Sequence, residues 1–246
     1  MPNLVVDRGN TTTKVYLFSE EKIVSNTAFR PEQEKELVEF VKSQECAASI
    51  LCSVQANDDA LIAELQQKKT FINFTYKTPT PLKLSYATPE TLGPDRIAAA
   101  LAGWQLSGGG HVLTVVAGTC ITYNVVEANG AFVGGAISPG LKMRLEAMHH
   151  FTGKLPLVPM KGFFPLTANT TEDSLRSGAL NGAIREVGGM ISSYGTFYTT
   201  LKTVISGGDG SFLAEALKNG IFARPELVAE GLNTILNYNV ANRLTR

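Results

Sequence analysis

The chain has 246 residues, and 22 lysine and arginine residues balance 22 aspartate and glutamate residues. The length allows one large domain or two small ones, and 44% hydrophobic beside 18% charged residues indicates a globular protein rather than a disordered or fibrous one. Zero net charge, without any run of lysine and arginine, argues against a nucleic acid as partner.

The cysteines and the N-terminal residues predict a cytoplasmic location. Cys46, Cys52 and Cys120 show neither the number nor the spacing of a disulfide framework or a zinc site, so we expect reduced thiols. The first residues lack the basic flank and apolar core of a signal peptide, and polar residues interrupt the uncharged stretch 97–126. We therefore expect a soluble cytoplasmic protein that does not bind a membrane.

The predicted elements form two series, each of which starts with strands. The first series has strands at residues 4–6, 14–18, 22–28, 49–54 and 71–76, and helices around 37–41, 58–67 and 94–105. After a hinge at residues 107–110, the second has strands at 112–116, 121–126, 131–137 and 203–205, and helices at 141–151, 171–198, 211–217 and 225–242. This order predicts an α/β protein with an N-terminal lobe of residues 1–106 and a C-terminal lobe of residues 107–246.

A short internal echo links the two series. Residues 5–11 and 115–119 each place a glycine-containing turn after an apolar strand and before another strand. Two lobes of related plan, each with such a turn, can hold a nucleotide between them. The echo spans only a few residues, so it supports this arrangement without establishing it.

The turn of the first series has the composition of a phosphate-binding loop. It presents Asp7, Gly9, Asn10, Thr11 and Lys14 within eight residues. Glycine lets the backbone approach a phosphate, asparagine and threonine donate hydrogen bonds, and lysine adds positive charge. The same residue types also suit an ordinary hairpin, so the turn alone leaves both interpretations open.

A second group of polar residues lies at the start of the helix predicted at 94–105. In Gly93-Pro94-Asp95-Arg96 a carboxylate and a guanidinium stand side by side. Arginine can hold an anionic substrate, and aspartate can accept a proton from an attacking hydroxyl. An aspartate in the first turn also stabilises a helix by itself, which is the competing structural interpretation.

Two further glycine-rich segments belong to the second series. Gly118-Thr119 offers backbone amides and a hydroxyl to phosphate oxygens, and the segment 206–210 offers bare backbone on which an adenine can lie. Each is weak evidence alone.

Taken together, these motifs resemble the type III pantothenate kinases of the acetate kinase/sugar kinase/Hsp70/actin superfamily, over essentially the whole chain. The resemblance implies two lobes of ribonuclease H-like plan with ATP in the cleft between them. It assigns the ATP phosphates and Mg²⁺ to the first loop, and Thr119 to a second phosphate loop. The residues of the first loop are Asp7, Arg8, Gly9, Asn10, Thr11, Thr12, Thr13 and Lys14.

The resemblance also implies a pantothenate pocket in a homodimer, near the subunit interface. Tyr86 is similar to the tyrosine that lines the pocket, and Thr171, or Thr170 in an alternative register, to the threonine that reaches pantothenate. Gly93, Pro94, Asp95 and Arg96 match the substrate motif, in which the aspartate accepts the proton. Residues 134–140 resemble a further family segment, Gly-Gly-x-Ile-x-Pro-Gly. The implied reaction is the ATP-dependent phosphorylation of pantothenate to 4'-phosphopantothenate, the first step of coenzyme A biosynthesis.

One departure from the family pattern bears on the cofactors. Val116 and Asn124 stand where the family has aspartates, and the first of those aspartates binds a monovalent cation, K⁺ or NH₄⁺. Valine has no side-chain oxygen, so we predict no metal ligand at this position. This leaves three alternatives: other oxygens bind the cation, the protein needs no such cation, or catalysis is weakened. The last case makes a regulatory nucleotide-binding member of the family the alternative function; another sugar or acid kinase is a third.

Overall fold

The computed structural model describes residues 1–55, 59–218 and 222–244. The strands are β1 (Asn3–Arg8), β2 (Thr13–Ser19), β3 (Lys22–Phe29), β4 (Ala48–Ser53), β5 (Phe71–Asn73), β6 (Lys83–Leu84), β7 (Val112–Ala117), β8 (Cys120–Val126), β9 (Ala131–Pro139), β10 (Lys202–Ser206) and β11 (Phe222–Ala223). The helices are α1 (Glu34–Ser43), α2 (Asp59–Gln66), α3 (Pro94–Leu106), α4 (Leu141–His150), α5 (Thr171–Phe197), α6 (Gly210–Leu217) and α7 (Leu227–Leu244). The start predicted for the second helix, residue 58, lies outside the described residues.

Two sheets repeat one strand arrangement. The first has the order β3-β2-β1-β4-β5, and the second has the order β11-β10-β7-β8-β9-β6. In each, three antiparallel strands are followed by a strand parallel to the first of them, β4 beside β1 and β10 beside β7. The duplication confirms the predicted two-lobe α/β fold of ribonuclease H-like plan.

Two short strands were missing from the sequence prediction. Lys83–Leu84 forms β6 beside β9, and Phe222–Ala223 forms β11 beside β10. The sequence predicts that the strand at 203–205 is the last one, and the presence of β11 shows that this is wrong. Two-residue strands are too short to show the alternation of apolar and polar residues that identifies longer strands.

The helices α3 and α7 form a layer between the two sheets. Side chains alternate between the two faces of a strand, so Val5 and Asp7 of β1 face this layer, whereas Leu4, Val6 and Arg8 face α1 and α2. On the other side of the layer, Val112 and Val126 pack in the same apolar cluster as α3 and α7. The opposite face of the second sheet packs against α5 and α6.

Glycines allow close packing within this layer. A Cβ atom at Gly231 of α7 would lie 2.0 Å from the carbonyl oxygen of Ala98 on α3, and one at Gly103 would lie 2.1 Å from the methyl group of Thr114 on β7. These contacts hold α3 between both sheets, so its first turn lies between the lobes. Because β6 joins the second sheet and α7 packs on the first, the division at residue 106 stays a prediction.

Among the described residues, no helix is long and apolar enough to span a bilayer.

Candidate active site

The first predicted phosphate loop is a tight turn between β1 and β2. The amide of Gly9 donates to the carbonyl oxygen of Thr12 at 3.1 Å, which closes the turn. The side chain of Gln55 donates to the Gly9 carbonyl oxygen at 2.7 Å and holds the turn from the end of β4. Asn10 and Thr11 are exposed at its tip. Their donors are therefore accessible to a phosphate, although neighbouring Thr13 is buried.

Arg8 lies on the opposite face of the first sheet from Asp7. Its Nη1 donates to the carboxylate of Glu34 at 3.0 Å, and its Nε donates to Oε1 of Gln55 at 3.2 Å. The guanidinium thus stabilises the turn from this opposite face, through the same Gln55 that donates to Gly9. A direct contact between Arg8 and ATP stays a prediction.

Asp7 and Asp95 approach each other between the lobes. Burial, followed by the charge of Asp95, raises the pKa of Asp7 from its ordinary 3.8 to about 7, while the nearby Lys14 opposes the shift. Burial also raises the pKa of Asp95, against the amide and charge of Arg96, which lower it. The structure therefore brings together the acidic groups of two motifs that are almost 90 residues apart.

Gly93 gives the Asp95 carboxylate the space it occupies. Gly93 precedes the first residue of α3, and Pro94 occupies the first turn, where its missing amide hydrogen costs nothing. A Cβ atom at position 93 would lie 2.6 Å from Oδ1 of Asp95. Any other residue at this position would displace the carboxylate, so the glycine of this motif has a direct steric reason.

Arg96 is buried and points toward the second sheet. Its Nε donates to Oδ1 of Asn124 at 2.7 Å, and its Nη2 donates to the carbonyl oxygen of Tyr123 at 3.3 Å. The guanidinium lies 6.0 Å from the ring centroid of Phe132, which is 6.0 Å from the ring of Tyr86. The two predicted substrate residues, Arg96 and Tyr86, therefore line one region through Phe132, a residue that the sequence analysis missed.

The second predicted loop, around Gly118-Thr119, is contacted by the glycine-containing segments 134–140 and 206–210. Thr119 is exposed, and its carbonyl oxygen accepts a hydrogen bond from the amide of Gly140 at 3.1 Å. Gly207 has a φ of +90°, and a Cβ atom there would lie 2.2 Å from the carbonyl oxygen of Ala117. The helix α4 begins directly after the first of these segments, and α6 begins at Gly210, the last residue of the second. Amides at helix N-termini favour anions, which suits a phosphate at this loop.

Thr171 lies away from the other predicted substrate residues. It lines a cavity between α4 and α5 together with Met148 and Leu155, and neither Asp95 nor Tyr86 lines this cavity. The Oγ1 atom of Thr170 accepts from the amide of Asp173 and caps α5, whereas Thr171 is the first residue of the helix and is exposed. The contact of Thr171 with pantothenate stays a prediction.

Residues at the position of the family's monovalent cation do not fit such an ion. Val116 is half-buried in the apolar layer between the sheets, and the Asn124 oxygen already accepts from Arg96. A divalent ion fits better near Asp7, since Mg²⁺ in nucleotide sites is usually held by one or two carboxylates plus phosphate oxygens. No group of three or more Cys, His, Asp and Glu residues that could hold a metal occurs in the described part of the chain.

A further acidic residue, Glu226, reaches the site from the end of the chain. Its Oε2 accepts a hydrogen bond from the hydroxyl of Tyr16 and lies 3.8 Å from Nζ of Lys14. Its charge also contributes to the raised pKa of Asp7. Glu226 is not predictable from the sequence as a site residue, because nothing in the pattern of the last helix connects it with residues 14 and 16.

Comparison with known proteins identifies the family. The family model described as type III pantothenate kinase matches residues 3–193. The chain belongs to this family. A type III pantothenate kinase from Christiangramia forsetii is 39% identical over 239 residues, which are 96% of this chain and 98% of the relative. Every site residue predicted from the family pattern lies within the matched range, whereas Glu226 lies beyond it.

Solved structures agree on the fold of this type III pantothenate kinase family member. A conserved Baf family protein from Campylobacter jejuni superposes with a TM-score of 0.66 at 20% identity, covering 97% of this chain and 99% of its own. The activator of 2-hydroxyisocaproyl-CoA dehydratase from Clostridium difficile, with bound ADPNP, has a TM-score of 0.56 at 10% identity, covering 100% and 97%. At such identities the likeness establishes the two-lobe fold alone.

Proposed function

We infer that this chain is a pantothenate kinase that transfers the γ-phosphoryl group of ATP to the primary hydroxyl of pantothenate. Beyond family membership, the proposal rests on the meeting of Asp7, from the phosphate loop, with Asp95, from the substrate motif. A phosphoryl donor and a hydroxyl acceptor have to meet at such a place. Apart from Val116, nothing in the described part of the chain favours the alternative of a regulatory protein without catalysis.

In the proposed mechanism, Asp95 accepts the proton of the pantothenate hydroxyl and directs the oxygen toward the γ-phosphorus. Its burial raises its pKa and makes it a stronger base than an exposed aspartate. Arg96 binds the pantothenate carboxylate, and Tyr86 shapes the pocket beside it. Phosphoryl transfer depends mainly on positioning and on neutralisation of charge. Asp7 would hold Mg²⁺, which when bound neutralises charge on the phosphates.

The nucleotide is proposed to lie between the lobes. Residues 7–14 bind the β- and γ-phosphates, Thr119 contacts the phosphates from the second lobe, and residues 206–210 lie along the adenine. The accessible tips of both loops and the contact of Gly207 with Ala117 support this placement. Lobes of residues 1–106 and 107–246 remain the proposed division.

The assay that tests the function also tests the missing cation ligand. We expect purified protein to phosphorylate pantothenate with ATP and Mg²⁺ at the same rate with and without K⁺ or NH₄⁺, because Val116 offers no oxygen to the ion. A Val116→Asp variant provides the comparison. No turnover by the wild type, together with turnover by the variant in K⁺, would mean that catalysis was lost and that the alternative function holds.

A homodimer is the proposed assembly. Six large apolar side chains are more than half exposed between residues 137 and 197, and large exposed apolar surfaces often mark protein interfaces. They are Ile137, Phe151, Leu157, Phe163, Leu166 and Phe197. A second copy that covers these side chains would remove them from water. Light scattering should give twice the 26.4 kDa of one chain, and a monomeric mass would contradict the proposal.

The cytoplasm is the proposed location. Cys46, Cys52 and Cys120 are free thiols, and Cys46 and Cys52 are buried, as suits a reducing compartment. Cell fractionation with detection of the native protein tests this, and recovery from a secreted or membrane fraction would contradict it.

A further inference from the structure

The pairing of Glu226 with Lys14 crosses from one half of the chain to the other. Lys14 lies on β2 beside Asp7, in the register of the antiparallel pair β1–β2. Glu226 follows β11 of the second sheet and directly precedes α7. The Glu226 carboxylate therefore reaches the lysine that the proposed function assigns to the ATP phosphates.

The two ends of this pair are held differently. Tyr16 is only 2% exposed, and its hydroxyl donates to Glu226 Oε2, so a buried group fixes the carboxylate. The Lys14 side chain is 38% exposed and its Nζ lies 3.8 Å from the same oxygen, which is a long contact for an ion pair. Partly exposed pairs of this kind contribute little stability. Lys14 is the end that can change partner.

The other charged groups around Lys14 do not remove this competition. Asp7 lies opposite Lys14 in the register, and Asp95 adds a second carboxylate from the first turn of α3. A divalent cation beside Asp7 can neutralise these two carboxylates, whereas Glu226 is held by the Tyr16 hydroxyl and stays 3.8 Å from Nζ of Lys14. An incoming phosphate must therefore compete with Glu226 for the Lys14 ammonium group.

We propose that Glu226 is a positioning residue that binds Lys14 in the nucleotide-free protein. When ATP binds, Lys14 leaves Glu226 for the ATP phosphates, and this competition weakens nucleotide affinity. The proposal rests on the proposed function of Lys14 as a phosphate ligand. A carboxylate close to an anion site lowers affinity for the anion, and loss of its charge should raise that affinity. A purely structural role for Glu226 would predict the opposite direction, since damage to a site weakens binding.

The test is a double-mutant cycle read out by binding. We expect Glu226→Gln, which keeps an acceptor for Tyr16, to tighten binding of ADPNP with Mg²⁺ by about two- to fivefold in calorimetry. In a Lys14→Met background the same substitution should change the dissociation constant little, because Glu226 acts through Lys14. Glu230→Gln is the matched control, since Glu230 lies one turn further along α7 and pairs with Arg224 at 2.9 Å.

The outcomes separate this proposal from the proposed function. Unchanged or weaker ADPNP binding by Glu226→Gln, or equal tightening in the Lys14→Met background, overturns the role of Glu226. Absence of ADPNP binding by the wild type overturns it as well. Tightening that depends on Lys14, in a protein that does not phosphorylate pantothenate, supports the role of Glu226 and contradicts only the proposed function.

Discussion

Replacement of Asp95 by asparagine should reduce kcat by about 10²- to 10⁴-fold, the usual contribution of a positioned general base. Asparagine keeps the size of the side chain and can still accept a hydrogen bond from the Arg96 amide, but it cannot take up the hydroxyl proton. The KM for pantothenate should change only a few-fold, because Arg96 and Tyr86 still bind the substrate. Steady-state kinetics at saturating ATP measure both parameters.

A matched control separates loss of the base from loss of the helix. Asp59 is the first residue of α2, in the same way that Asp95 lies in the first turn of α3. The side chain of Asp59 is exposed. Asp59→Asn should therefore leave kcat within about twofold of the wild type, since exposed substitutions away from a site have small effects. Full kcat in Asp95→Asn would show that another group accepts the proton.

Replacement of Asp7 by asparagine should have two opposite effects, a loss of activity and a gain of stability above neutral pH. The pKa of Asp7 is raised from 3.8 to about 7, so its contribution to stability is fully present below pH 4 and is lost as the pH rises through 7. At about 1.4 kcal/mol per pKa unit the shift corresponds to roughly 4 kcal/mol, which partial exposure of the side chain reduces to about 2 kcal/mol. Activity should fall at least about 100-fold, because the phosphates lose charge neutralisation.

Thermal unfolding at two pH values measures the stability effect. Asp7→Asn should unfold about 4 °C above the wild type at pH 8, at about 2 °C per kcal/mol, and near the wild-type temperature at pH 4. Glu32→Gln, an exposed acidic position in the turn before α1, should show no such dependence. A variant that is less stable than the wild type at pH 8 would show that the negative charge of Asp7 stabilises the fold.

The sequence predicted most of the fold because its long elements carry strong local signals. The apolar run Leu4, Val5 and Val6 and the glycine after it identify β1, and the Pro94 start identifies α3. The position of α3 and α7 between the sheets was not predictable. It depends on Gly231, whose absent side chain permits contact with Ala98, more than 100 positions away. It also depends on Gly103, which in the same way contacts Thr114, about 10 positions away. A glycine in a helix does not reveal which surface it approaches.

The site was predictable where a motif is continuous along the chain. Asp7, Asp95 and Arg96 come from such motifs, and the structure brings Asp95 close enough to Asp7 for its charge to raise the pKa of Asp7. The contacts of Arg96 with Phe132 and Asn124 escaped prediction because these residues meet only after β8 and β9 have paired. Glu226 escaped it because its partners lie more than 200 residues earlier.

The position of α7 also determines when the protein can complete its fold during synthesis. The inner face of the first sheet, with Val5, Tyr16 and Ile50, is covered by α7, a helix that is translated after both sheets. Asn3 on the first strand bonds to Asn233 on that helix at 2.9 Å. The apolar residues on this face therefore stay in contact with water until α7 has been synthesised, so folding of the N-terminal half ends only after most of the second lobe has been made. During synthesis the N-terminal half depends on this distant helix for protection against aggregation.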